Sequence, residues 1–201
     1  CFSQIDKNVD LIYHDLVIKH DKSEPYLKKK KCRGYKLNKP ILNDLLLGGI
    51  TNGNAIGNSS VILRKNLLDK IGGISENKNL VGSEDYNTWL RIAQITDKFK
   101  YLKKKLGYNL IHDGSVSKKN MSIPQREAVA DFMNLFNSQQ KLNLEVKLRY
   151  ITASHDYLNN NFDEAKKNFF FILRNGLINL KFKSLLKIIL IKFKFTWYKR
   201  N

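Results

Sequence analysis

The chain has 201 residues, of which 42% are hydrophobic and 11% aromatic, enough for a buried core and too apolar for wholesale disorder. It carries 36 Lys or Arg against 18 Asp or Glu, a formal charge of +18, which points to an anionic partner: nucleic acid, an acidic membrane surface or a phosphorylated ligand. Two cysteines, Cys1 and Cys32, form neither a metal-type spacing nor a disulfide framework, and a reducing compartment is the expectation.

No basic n-region followed by an apolar stretch marks a signal peptide. The start at Cys1 instead of Met suggests a fragment of a longer reading frame. Residues 9–18, apolar and β-branched, predict a strand. Residues 22–39 are polar and basic, with Lys28 to Lys31, Arg33, Lys36 and Lys39, and predict a solvated loop or a surface for acidic lipid or a phosphorylated acceptor. A short helix is expected over 41–47, stopped by Gly48-Gly49. Asn58-Ser59-Ser60 runs into a short strand through Arg64, and Lys65 to Ile71 predicts a helical turn stopped by Gly72-Gly73. Residues 74–83 read as a loop.

Gly82-Ser83-Glu84-Asp85-Tyr86-Asn87-Thr88-Trp89-Leu90-Arg91 predicts a helix over 84–96 with two carboxylates at its start. Acids there are favoured by the free N–H groups and the helix dipole, so a helix cap is one reading of the pair and chemistry the other. Tyr101-Leu102 and Gly107 to His112 suggest a paired strand or hairpin, and 113–124 a polar loop. Helices are expected over 127–140, 144–159 and 161–174, the last two as an antiparallel pair about Asn159-Asn160-Asn161. Ala153, Tyr157, Phe162, Ala165 and Phe169 resemble one helical-repeat unit, which must pack on further chain to bury its faces. The tail from Gly176 carries seven Lys or Arg and no acid among many aromatic and aliphatic residues. Its longest apolar run, Ile188 to Ile191, is far short of the roughly 20 residues that span a bilayer. Lys183, Lys187 and Lys194 fall on one helical face. Two readings stand: a basic amphipathic helix lying in a membrane interface, or a core-packed terminal helix with solvated lysines.

Four ordered pieces resemble the acceptor-side half of family 2 glycosyltransferases, which are inverting enzymes with the nucleotide-diphospho-sugar transferase (GT-A) fold. They are Asp10 to Asp15; Ile56 to Lys65; Lys70 to Glu76 with Gly82 to Ala93; and Leu106-Gly107-Tyr108 with His112, Gly114-Ser115 and Ser117. The resemblance covers about residues 9 to 118. It implies an α/β fold, with a partial GT-A-like mixed sheet over 1–124 and an α-helical appendage over 125–201. It also implies sugar transfer from a nucleotide sugar to a surface polysaccharide or lipid-linked glycan, at the cytoplasmic face of the membrane. Asp85 would be the general base, since inverting transfer needs one carboxylate to take the acceptor hydroxyl's proton. Glu84 would sit beside it, shaping the site or raising its basicity through like charge. Asn58, Ser59 and Ser60 would line the donor-sugar and acceptor side. Trp89 would offer an aromatic face or pack in the core, and Arg91 would touch ligand or pair with the carboxylates. His112 and Ser117 lie where relatives close on the diphosphate or a metal.

A divalent cation, Mg2+ or Mn2+, is implied for the complete enzyme, but the Asp-x-Asp motif that would hold it is absent from the sequence, as is a Gly-rich phosphate loop. A non-catalytic remnant or partner-binding module is therefore the alternative. A basic nucleic-acid-binding protein is a weaker one, because the lysines are scattered and no recognised motif accompanies them.

Overall fold

The structure, a computed structural model, describes residues 8–20, 53–54, 56–112 and 114–198. The basic stretch 22–39 and the helix expected over 41–47 lie outside the described residues. The chain is mixed α/β and divides into two compact units, Cys1–Lys118 and Lys119–Asn201. The sequence reading set the change of character later, at 124/125.

The first unit is built on a three-stranded mixed sheet in the order β2-β1-β3, with β1 Leu11–His20, β2 Val61–Leu63 and β3 Phe99–Ile111. β1 is the central strand. Leu11, Ile12, Tyr13 and Leu16 are all buried, as its near-continuous apolar sequence requires of a strand covered on both faces. It runs antiparallel to β2, with Leu11 opposite Leu63, and parallel to β3, with Leu11 opposite Phe99.

Of the two readings of 101–112, a paired strand or a hairpin, the paired strand is the one formed. Phe99–Ile111 is one continuous strand beside β1. Lys103, Lys104 and Lys105, between the two segments named from sequence, are exposed residues of a strand that lies at the sheet edge among the described residues. Lysines are a common way to blunt such an edge. A register shift at Asp15 accompanies a buried carboxylate whose Oδ1 accepts a 2.7 Å bond from the Tyr101 hydroxyl. Burial, reinforced by that bond and the Asp15 charge, pushes the Tyr101 hydroxyl up to about 12.

α1 (Lys65–Lys70) stops where expected. Gly72 and Gly73 have φ of 74° and 82°, the left-handed conformation open to glycine, and the Gly73 N–H closes on the Leu68 carbonyl at 2.8 Å. α2 (Glu84–Ala93) packs Trp89 and Ile92 against Leu11 and Tyr13 of β1, with Ile56 and Leu67 completing the cluster.

The second unit is helical: α3 Ser122–Val129, α4 Ser138–Leu158, α5 Phe162–Asn175 and α6 Ile178–Tyr198. The single helix expected over 127–140 is broken. α3 passes into a 3-10 turn over Ala130–Leu135, and α4 restarts behind Asn137. The Asn137 side chain accepts the Gln140 N–H and Gln140 returns a bond to the Asn137 N–H, both at 2.9 Å, a reciprocal capping box. α4 and α5 form the expected pair, turning at Asn160 with φ 61°. Val146, Ala153 and Tyr157 of α4 meet Ala165, Phe169 and Ile172 of α5, and Ile191 of α6 completes this core. The pair thus buries its faces with a third helix.

Candidate active site

The site is local to the start of α2. Gly82, with φ 89°, turns the chain into the helix, and its N–H donates to Glu84 Oε2 at 2.8 Å. Asp85 Oδ1 accepts the Tyr86 N–H at 2.7 Å and the Asn54 side-chain amide at 3.1 Å, and the Asn58 backbone N–H also bonds the carboxylate. Asn54 is oriented for this task, because its Oδ1 accepts the Ile56 N–H at 3.3 Å, which leaves its NH2 for Asp85. Burial pushes the Asp85 carboxyl up. The three hydrogen bonds oppose that shift without cancelling it, and the Glu84 charge adds the smallest contribution upward.

Glu84, Asp85, Asn58 and Trp89 line one cleft of about 390 Å³ together with Ile74, Gly82 and Thr88. Four of the sequence-derived site residues therefore converge. The Thr88 hydroxyl is turned to the Glu84 carbonyl at 2.7 Å, and Ile74, 52% exposed, supplies an apolar wall.

The others stand apart from this cleft. Ser59 is exposed, and Ser60 is buried with its hydroxyl on the Gly57 carbonyl at 2.6 Å, a turn-closing bond. Arg91 ties the Gly-Gly turn to the helix, donating to the Ile71 and Gly73 carbonyls at 2.8 Å and to Asn87 Oδ1 at 2.9 Å. It satisfies carbonyls at the end of α1, a structural duty. His112 ends β3, with its backbone N–H on the Ser115 hydroxyl at 2.9 Å, and Ser117 falls in the 3-10 turn Val116–Lys118. Trp89 is 6% exposed, and its indole N–H bonds the Ile56 carbonyl at 3.0 Å. It is a core residue that reaches the cleft with the little surface it leaves open, as a buried indole that has found its partner does.

Asn54, Thr88 and Ile74 were not singled out from sequence. Asn52-Gly53-Asn54 signals a turn, and Thr88 lies four residues after Glu84, one helical turn on. Nothing local announces that Asn54 meets a carboxylate 31 positions away.

The implied divalent cation finds no ligand set here. Among the described residues no three His, Cys, Asp or Glu side chains are grouped to hold a metal ion. The Glu84 and Asp85 carboxylates are also engaged by N–H donors. What the cleft offers is a partly desolvated carboxylate of raised basicity, steered by amide donors and bordered by one apolar wall. Set against family models, curated proteins and solved structures, the chain finds no match in any of the three.

Proposed function

We propose that this chain carries the acceptor side of an inverting sugar-transfer site of GT-A type, with Asp85 as general base. An acceptor hydroxyl in the cleft gives its proton to the Asp85 carboxylate. Its oxygen attacks the anomeric carbon of a nucleotide sugar, and the bond from that carbon to the nucleoside diphosphate breaks with inversion. The acceptor fits as a glycan or lipid-linked glycan. The observation that carries this reading is the Asp85 environment: a carboxylate raised by burial, fixed by Asn54 and the α2 start, at the wall of a cleft it shares with Asn58 and Glu84. A base with raised pKa transfers protons more effectively near neutral pH. Glu84 has a lesser role, shaping the Gly82 turn and adding a small electrostatic push.

The test is transfer from labelled nucleotide sugars by the reading frame that contains this chain. Asp85→Asn is expected to lose activity by about 10²–10⁴-fold, and Glu84→Gln by much less. Undiminished transfer by Asp85→Asn removes the residue from the chemistry.

A second reading, a non-catalytic module of the same fold, is favoured by the bonds from Gly82 to Glu84 and from Tyr86 to Asp85, which a purely structural helix start also makes. Under it, Asp85→Asn alters stability and leaves any sugar transfer unchanged.

A further inference from the structure

We propose that the outer face of α6 is a docking surface for an anionic lipid bilayer. The helix uses one side for its own unit: Ile191 and Ser184 are fully buried, and Leu180 and Ile188 pack on the α4–α5 core. At 3.6 residues per turn, the opposite side brings Phe182, Leu186, Ile189, Leu190 and Phe193 together. All are exposed, Phe182 and Phe193 at 69% each. A surface helix ordinarily turns polar residues outward, so this ridge is a second apolar face on a helix already anchored by its first.

Charge selects the occupant. The same spacing sets Lys181 and Lys192 along one flank of the ridge and Lys183 along the other, and no Asp or Glu occurs from Ala165 to Asn201. A second copy of the chain would bring like-charged flanks together, and a nucleic acid would meet an apolar centre. A bilayer with anionic headgroups satisfies both features, because the ridge sinks into the headgroup–acyl boundary while the lysine stems lie along it and carry their ammonium groups to the phosphates. The helix lies on the membrane. Among the described residues no helix is long and apolar enough to cross one. Because α6 is already folded against α5, docking carries no helix-ordering cost. This inference does not depend on the sugar-transfer reading.

The experiment is cosedimentation of the 201-residue chain with phosphatidylcholine vesicles and with vesicles containing about one third phosphatidylglycerol. Binding is expected to the anionic vesicles only. It should fall roughly fivefold for each of Lys183→Gln and Lys192→Gln at low salt, and more than about tenfold in the triple variant Phe182→Ser, Leu186→Ser, Ile189→Ser. Leu158→Ser, a single apolar loss at the exposed end of α4, should bind as the parent does. Circular dichroism establishes that each variant is folded. The proposal is overturned by absence of binding, by equal binding to neutral vesicles, or by binding that the triple variant leaves intact. Dimerisation abolished by the triple variant would assign the face to a second copy. Salt-dependent binding to random duplex DNA without vesicle binding would assign the charge to nucleic acid.

Discussion

Asp85 is a first-turn acid that its surroundings make into more than a cap. An exposed carboxylate at a helix start is favoured by the dipole, but here burial outweighs the donors and the folded-state pKa lies above the ordinary 3.8. The sign of the pH effect follows. The native state holds this proton more tightly than the unfolded chain, so the group's contribution to stability is present in full below the unfolded pKa. It is lost as pH rises through the higher folded value. Urea unfolding of Asp85→Asn should therefore gain on the parent between about pH 4 and pH 7, since the amide keeps an acceptor for Asn54 and Tyr86 without a charge to bury. A variant that loses ground over that range would contradict the desolvated environment. The adjacent pair Glu84-Asp85 could be read from sequence as the opening of a helix, because capping chemistry is local. The Asn54 contact could not, because it depends on a turn and a helix meeting through the fold.

At the scale of elements, periodicity and turn chemistry were legible where an element is decided within itself. The Gly72-Gly73 stop, the start of α2, and the α4–α5 pair about Asn160 all follow from side chains within a few residues of each boundary. β3 was legible as either a paired strand or a hairpin, since three successive lysines interrupt its apolar pattern and only pairing with β1 carries the chain through them as one strand. The break between α3 and α4 was missed although Asn137 and Gln140 carry its signal, because helix-compatible residues surround it on both sides. Gly176, between α5 and α6, has an ordinary φ of −83°. A Cβ there would nevertheless stand 2.6 Å from the Ile172 carbonyl oxygen and 2.9 Å from Ile172 Cγ2. Gly176→Ala should cost about 1–3 kcal/mol by forcing the backbone apart at that junction, measured as a lower urea midpoint.

For the whole molecule, the charge of +18 sets a background repulsion that an ion pair relieves only locally. Arg126 and Arg149 converge on Glu145 at 2.6 and 2.7 Å. Burial raises that carboxyl, but the two guanidinium bonds outweigh it and hold the group below its ordinary value. Such exposed pairs contribute about 0.2–1 kcal/mol each and weaken with salt, whereas screening relieves repulsion across the entire chain. Added salt should therefore raise the unfolding free energy, by on the order of 1 kcal/mol between low and physiological ionic strength. Urea titrations at the two salt levels check this, and a fall would mean that ion pairs outweigh the net charge. Composition and periodicity already established a basic chain with an α/β part followed by helices, because both are sums over residues or local repeats. Tertiary structure decided three things those sums cannot carry. It set the parallel pairing of β3 with β1 and closed Asn54 and Asn58 on Asp85. It also divided α6 into one face packed on α5 and one apolar face left exposed, since each of these depends on distant segments being brought together.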